Sequence, residues 1–320
     1  MVSAIIPTLN RCATLRRVLQ AYSGQTALQK VAEILVIDDG SADETPSVIA
    51  EFARTSPVPI RYLRQEHRGA AAARNLGIRE ARGDLFLFTD DDVIPSPTLV
   101  AEHLRFHSQN SDPGVAVLGS VPWHPDAHAT PFMNWLITGG PLMNLRECLR
   151  RKELDFEFFC TANLSLKAKF LRSNGLFDED FRALYYEDYE LGYRLAARGL
   201  RILYNPDAVG YHYKHVSFAD ICRRAQLVVA SERVLRTKEA GVYFSEREAR
   251  RQQRLLIRAG KFLIGRLAFV LAPLKLLLDT QFPLPRIVYR ALYYSYAVSP
   301  ARRSEAATRE ADKVQATARS

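Results

Sequence analysis

Apolar residues arrive in short blocks along the first third of the chain. Runs at 2–6, 33–37 (Glu-Ile-Leu-Val-Ile), 59–63 and 84–89 (Asp-Leu-Phe-Leu-Phe-Thr) have the length of strands, and the stretches 13–23, 44–54 and 70–81 between them read as helices. Short apolar strands separated by helices of this size predict a mostly parallel sheet covered on both faces. A helix at 98–108 and a strand at 115–119 extend the alternation. Residues 122–158, rich in Pro, Trp, Asn and Met, lose any period and predict a long loop or short helices. A strand at 160–166, a helix at 186–198 and short strands near 201–211 complete a domain bounded at 1–217. Residues 218–300 turn helical, basic and apolar, and the polar tail 301–320 is expected to be disordered.

Charge and cysteines narrow the setting. The chain has 320 residues and a net charge of +9, unevenly spread. The last hundred residues hold 20 Lys and Arg against 8 Asp and Glu, leaving 24 against 27 in the first 220. An acidic front is a poor footprint for nucleic acid, and a basic tail beside apolar segments suits an anionic membrane surface. Cys12, Cys148, Cys160 and Cys222 form no CxxC pair, which argues against structural zinc or a disulfide framework and for a reducing compartment. The chain enters the strand-like Val2-Ser3-Ala4-Ile5-Ile6 directly, so no secretory leader is expected.

The most apolar stretch, 262–278, is short for a membrane span of about 20 residues and contains Arg266, Pro273 and Lys275. Two short helices broken near Pro273 fit it better. Arg250, Arg251, Arg254, Arg258 and Lys261 precede it, and Tyr289, Tyr293, Tyr294 and Tyr296 follow. Such flanks suit an interfacial membrane anchor; a helical subdomain packed on the catalytic domain or on a second copy of the chain fits as well.

The polar residues that close the strands carry the candidate chemistry, because ligands of open α/β sheets bind outside the carboxyl ends of the strands. Strand one ends in Pro7-Thr8-Leu9-Asn10-Arg11, strand two in Asp38-Asp39-Gly40-Ser41, and strand four in Asp90-Asp91-Asp92. Acids crowded on one edge raise each other's pKa and call for a cation. Mg²⁺ or Mn²⁺ with phosphate oxygens would supply it. Solvated turns and helix caps suffice for Ser41, Asp43 and Glu44, but less readily for three acids directly after an apolar strand. Arg68-Gly69 followed by Ala70 to Ala73, Arg74 and Asn75 fits close backbone approach and an anion at a helix start, or an ordinary packed helix.

These blocks together resemble family 2 glycosyltransferases. Ile-Pro-Thr-Leu-Asn-Arg, Val-Ile-Asp-Asp-Gly-Ser, Gly-(Ala)4-Arg-Asn and Phe-Thr-Asp-Asp-Asp-Val are similar to that family's donor half, about 1–120 here. Thr161-Ala162-Asn163-Leu164-Ser165, Gly175-Leu176-Phe177-Asp178-Glu179 and Glu187-Asp188-Tyr189-Glu190-Leu191-Gly192 are similar to its acceptor half, about 121–217. The resemblance spans roughly residues 2–215. It implies a GT-A-type, Rossmann-like α/β fold whose mixed, mainly parallel sheet is flanked by helices, with a C-terminal helical extension. It further implies an inverting transfer from a nucleotide diphosphate sugar to a glycan or lipid-linked acceptor, in synthesis of a cell-surface glycan, polysaccharide or glycolipid. Pro7, Thr8 and Arg11 would then line the nucleotide pocket, Asp39 would accept from the base, and Gly69 and Arg74 would lie along the nucleotide and phosphates. Asp90 and Asp92 match the outer acids of the DxD motif, meeting ribose and metal, with Asp91 filling the middle position. His212 stands where relatives place a further metal ligand, and Asp188 would be the catalytic base. A cytoplasmic protein, peripheral on the inner face of the membrane, is expected.

Rival chemistries fare worse. No GxGxxG follows strand one and no GxxxxGK[ST] occurs, which disfavours a dinucleotide dehydrogenase or a P-loop enzyme. A metal-dependent nucleotidyltransferase and a non-catalytic nucleotide-sugar-binding protein remain as alternatives.

Overall fold

The computed structural model describes residues 1–182, 185–253, 271–301 and 303. Arg254, Arg258, Lys261, Arg266 and the tail from 304 onward lie outside the described residues.

Among the described residues nine strands form one sheet. They are β1 (Val2–Thr8), β2 (Val31–Asp38), β3 (Ile60–Arg64), β4 (Leu85–Thr89), β5 (Val93–Pro95), β6 (Val115–Ser120), β7 (Glu153–Leu154), β8 (Asn163–Lys167) and β9 (Arg201–His212). Their order is β3-β2-β1-β4-β8-β6-β9-β5, with β7 paired to β9. β1 to β4 pair in parallel, as the alternation predicts. β8 then enters antiparallel between β4 and β6, while β6 and β9 are parallel again. The region expected to hold several short strands near 201–211 is instead one strand of 12 residues.

Helices alternate with the strands as far as α3 and interleave less regularly after it: α1 (Cys12–Ser23), α2 (Thr45–Thr55), α3 (Ala70–Glu80), α4 (Leu99–Gln109), α5 (Pro131–Thr138), α6 (Leu145–Arg150), α7 (Ala168–Asn174) and α8 (Glu187–Ala196). α9 (Phe218–Arg236), α10 (Glu239–Gln253) and α11 (Arg286–Tyr293) follow. Consecutive strand residues such as Ile34 to Ile37 and Phe86 to Phe88 are fully buried, because helices cover both faces. α1 buries Leu15, Val18, Leu19 and Tyr22, a helical stripe of i, i+3, i+4 and i+7 spacing. α3 lies closer to the sheet than a larger-residue helix could. A methyl group on Gly77 would stand 2.6 Å from Ile5 Cγ2 and 2.9 Å from Ile37 Cδ1. The alanine run is therefore a packed helix, and its tight seating fixes where Arg74 emerges.

The chain divides into two compact units, residues 1–128 with 144–214 and residues 129–143 with 215–320. The sheet belongs to the first. In the second, α5 packs its aromatic side chains on the later helices: Phe132 lies 5.7 Å from Phe218 and 5.8 Å from Tyr289, and Trp135 lies 5.7 Å from Tyr289, ring centre to ring centre. The expected boundary at 217 therefore misses α5, which joins the later unit because its aromatic face needs Phe218 and Tyr289. Tyr289 is a buried core residue and not part of an interfacial belt. Among the described residues no helix is long and apolar enough to cross a membrane. The four cysteines are free.

A buried polar network ties β8 to its neighbours. Asn163 donates to Ser120 O at 3.1 Å and Ala208 O at 2.8 Å, and its Oδ1 accepts from His103 Nε2 at 2.9 Å. His103 Nδ1 accepts from Ser165 Oγ at 2.7 Å, and burial holds this imidazole neutral by pushing it down to about 4. Asn163→Leu would strip partners from three polar groups, the Ala208 carbonyl and the His103 ring fully buried and the Ser120 carbonyl partly so, at about 1–3 kcal/mol for each buried one. The expected loss is about 3 kcal/mol or more in urea denaturation; a loss under about 1 kcal/mol would contradict this account of the network.

Candidate functional site

The parallel strands β1, β2 and β4 release their last residues at one edge of the sheet. There the chain bonds to itself across strands. Thr8 Oγ1 donates to Asp91 Oδ2 at 2.7 Å, and Arg11 Nη1 donates to Asp92 Oδ2 at 3.1 Å. Asn10, with a left-handed φ of 53°, exchanges hydrogen bonds with Ser41 and Ala42, locking the first loop onto the second. Pro7 is the penultimate residue of β1, paired with Ile37. Asp43, expected at a helix start, accepts from the amides of Cys12 and Thr45 and so serves both α1 and α2.

Asp39 is buried and saturated. Its Oδ1 accepts from Gln65 Nε2 (2.7 Å) and the Arg68 amide (2.8 Å), and its Oδ2 contacts His67 Nδ1 (2.8 Å) and accepts from the Gly69 amide (2.9 Å). Those four partners fill the usual capacity of a carboxylate. The loop after β3 is thus wrapped around one acid. Gly69 is required at its end: φ is 93°, and an added Cβ would stand 2.6 Å from the carbonyl oxygen of Arg182. Gly40, Arg64, Gln65, Glu66 and His67 line an open depression of about 480 Å³ alongside.

Arg74, expected along the phosphates, is 4% exposed and bridges acids from two distant parts of the chain. Its Nη2 donates to Asp90 Oδ1 at 3.2 Å and its Nη1 to Glu187 Oε1 at 3.0 Å. Its guanidinium also lies 5.7 Å over the Phe177 ring, and Nε is buried without a partner. Burial disfavours the charge, but Asp188, Asp90 and Glu187 outweigh it and hold the group above its ordinary pKa. Glu187 Oε2 in turn accepts from the Tyr185 amide at 2.8 Å. That bond secures two consecutive tyrosines with positive φ, Tyr185 at 129° and Tyr186 at 69°, a costly conformation for residues with side chains.

α8 therefore divides its acids. Glu190 pairs with Arg194 on the helix itself, as a charged face would. Glu187 and Asp188 do not. Asp188 accepts from the Thr161 amide and hydroxyl. Burial and the neighbouring Glu187 raise it above the usual carboxylate range, against the pull of Arg74 and Thr161. Nearby Cys160 is pushed up to about 12 by burial and Asp188, so its thiol is inert.

The three strand-end acids differ sharply. Burial and Asp92 push Asp91 up to about 7, against the pull of Thr8 and Arg11. Burial and Asp92 raise Asp90 despite Arg74. Asp92 goes the other way: His212, Arg11 and Lys214 overcome its burial and hold it at about 2. His212 Nε2 stands 3.4 Å from Asp92 Oδ1, and its ring stacks on Trp123 at 5.0 Å. Asp90, Asp92 and His212 thus gather at one end of the site, although among the described residues no three His, Cys, Asp or Glu side chains already form a metal-holding group. Lys214 and Trp123 escaped the sequence reading, whereas Thr161 and Glu187 stood inside the acceptor-half blocks without a role of their own.

A family model for glycosyl transferase family 2 matches residues 3–172, and one for glycosyl transferase family group 2 matches residues 91–301. Validoxylamine A glucosyltransferase of Streptomyces hygroscopicus subsp. jinggangensis is 32% identical over 238 residues, covering 67% of this chain and 56% of that protein. Hyaluronan synthase of Pasteurella multocida is 29% identical over 228 residues, 62% of this chain and 23% of its own. The chain spans about half the length of the glucosyltransferases it matches. Its fold is similar to that of a mannosyltransferase from Pyrobaculum calidifontis, solved with GDP-Man and Mn²⁺, at a TM-score of 0.54 and 22% identity, covering 99% of this chain and 79% of that one. The architecture is accordingly of GT-A type.

Removing the buried cation should expose the debt of the acids around it. Arg74→Met leaves Glu187 and Asp90 without their partner, an imbalance worth about 3–5 kcal/mol when a buried pair is broken. Asp90, already raised by burial, would rise further and be stable only when protonated. The deficit in urea denaturation should therefore be larger at pH 8 than at pH 5. Equal deficits at both pH values would remove the electrostatic explanation.

Proposed function

The chain belongs to glycosyl transferase family 2, and on that premise we propose that it moves a sugar, with inversion, from a nucleoside diphosphate sugar to an acceptor hydroxyl, in synthesis of a cell-surface glycan, polysaccharide or glycolipid. The observation that carries this is Arg74, which links strand-end Asp90 to Glu187 and lies within electrostatic reach of Asp188. A donor-side acid and a candidate base thereby share one rigid support.

Asp188 is the base in this mechanism. The acceptor oxygen attacks the anomeric carbon, the bond from that carbon to the diphosphate oxygen breaks, and the electron pair leaves with the nucleoside diphosphate. The acceptor's proton passes to the Asp188 carboxylate. Held above the range of an ordinary aspartate by its burial, this carboxylate is the better proton acceptor. Pro7, Thr8, Arg11 and Gly69 would line the nucleotide. Asp39 would accept from the base only by exchanging one of its four present partners. Arg74 would act on the phosphates through Asp90 and not by direct contact.

Asp90 and Asp92, with His212 beside them, would hold Mg²⁺ or Mn²⁺. Asp90 and Asp92 offer the hard carboxylate oxygens such an ion takes, and the His212 imidazole lies 3.4 Å from Asp92. The bound ion would neutralise charge on the departing diphosphate. The Mn²⁺ in the mannosyltransferase of like fold supports a divalent ion as cofactor. The basic last hundred residues would rest on an anionic membrane surface. Co-sedimentation with phosphatidylserine but not phosphatidylcholine vesicles, lost in high salt, is expected; equal pelleting with both would reject it.

Nucleoside diphosphate release should be measured on UDP-glucose, UDP-N-acetylglucosamine and GDP-mannose, with Mn²⁺ and with chelator. Release is expected for at least one donor with Mn²⁺ only, and Asp92→Ala should abolish donor binding. Full activity in chelator would discard the metal, and release of inorganic diphosphate would indicate a nucleotidyltransferase instead. Asp188→Asn should bind donor as the parent does yet turn over about a hundredfold or more slowly, the usual worth of a general base. Turnover within a few-fold of the parent would return Asp188 to a structural role.

A further inference from the structure

Asp188 lies in the first turn of α8, where the helix N-terminus favours a negative charge. One residue grips its carboxylate. The Thr161 amide donates to Oδ2 at 2.9 Å, and the Thr161 hydroxyl lies 2.9 Å from Oδ1 and 3.0 Å from Oδ2. Thr161 is itself fully buried, two residues before β8 begins. The hydroxyl carries a single proton, so the two oxygens share it, while Oδ2 also holds the amide. Oδ1 is the less satisfied of the two.

We propose that Thr161 is the positioning residue for proton transfer, turning the Asp188 carboxylate so that Oδ1 is the atom that receives the acceptor's proton. This rests on the role of Asp188 proposed above. As the acceptor oxygen bonds to the anomeric carbon and the carbon–diphosphate bond breaks, the acceptor O–H proton moves to Oδ1. The Thr161 hydroxyl then donates to Oδ2 alone, beside the amide, and no buried group loses its partner. One hydroxyl serves both protonation states by a small rotation about its own bond.

The charged surroundings make this clamp matter. Arg74 from α3 favours the carboxylate, Glu187 from the same helix opposes it, and the Cys160 thiol before Thr161 stays neutral. Burial leans toward the protonated form, so donors aimed at the anion decide how much base is available at neutral pH. A valine keeps the shape of threonine and the amide bond but deletes the hydroxyl.

The test is the pH dependence of kcat for nucleoside diphosphate release from UDP-glucose, UDP-N-acetylglucosamine or GDP-mannose with Mn²⁺. Thr161→Val should move the acid limb upward by about one pH unit, a loss of about tenfold at pH 6 that is recovered on the alkaline side. Thr161→Ser should return the limb to the parent position, because it restores the hydroxyl. Binding of UDP and GDP should be the same in all three proteins. If valine prevents folding, Thr161→Ala deletes the same hydroxyl without bulk and carries the same expectation. An acid limb unmoved in the valine or alanine protein overturns the clamp, as does a uniform loss at every pH. The two ideas separate cleanly: a fully active Asp188→Asn refutes the base, whereas an inactive Asp188→Asn beside an unmoved limb refutes the clamp alone.

Discussion

Arg74 carries one positive charge into a place water scarcely reaches, and carboxylates from two distant stretches of chain gather on it. Desolvating a guanidinium is costly, so the cation is tolerable only with its acids in place. The acids depend on it equally, since Glu187 is itself buried. Neither side is stable alone. This mutual requirement couples the end of β4 to the start of α8, more than ninety residues later. It also explains the alanines and Gly77 of α3, because only small residues let the helix sit close enough to β1 and β2 to deliver Arg74 there.

The reversal of the sheet at β8 does the complementary work. A strand running antiparallel to β4 begins where β4 ends, pairing Asn163 with Thr89. The residues just before β8 are thereby placed beside Asp90 to Asp92, which puts Thr161 within reach of α8. Asn163 secures the crossing through bonds to β6, β9 and α4. Thr161, which holds Asp188, and Asn163, which anchors the polar network, thus lie two residues apart at the start of one strand.

Within this frame similar side chains acquire different chemistry. Asp91 and Asp92 are adjacent, yet one is pushed up to about 7 and the other held at about 2. Their burial is alike; their company is not. Asp92 faces His212, Arg11 and Lys214, whereas Asp91 has the Thr8 hydroxyl as its nearest help. Glu190 and Asp188 repeat the contrast on one helix, the first neutralised by Arg194 and the second aimed at Thr161.

The sequence by itself determined the alternation of strands and helices from β1 to β4 and on through α4 to β6, because buried parallel strands must be apolar on both faces and leave a plain mark; the short β5 left none. It determined also that Asp39, Asp90 to Asp92 and Asp188 are unusual, since acids that close apolar strands or sit in ordered family blocks stand out from solvated ones. The direction of β8, the single long β9 and the membership of α5 in the later unit were decided only by tertiary structure. Each depends on which neighbour a strand or aromatic face finds, and pairing partners leave no local period. The same holds within the site. That Asp39 is saturated by the loop 65–69, that Arg74 is a buried bridge, and that Thr161 holds Asp188 are facts of contacts between residues 16 to 113 positions apart. Hydrogen-bond geometry and desolvation act through space, so no pattern along the chain records them.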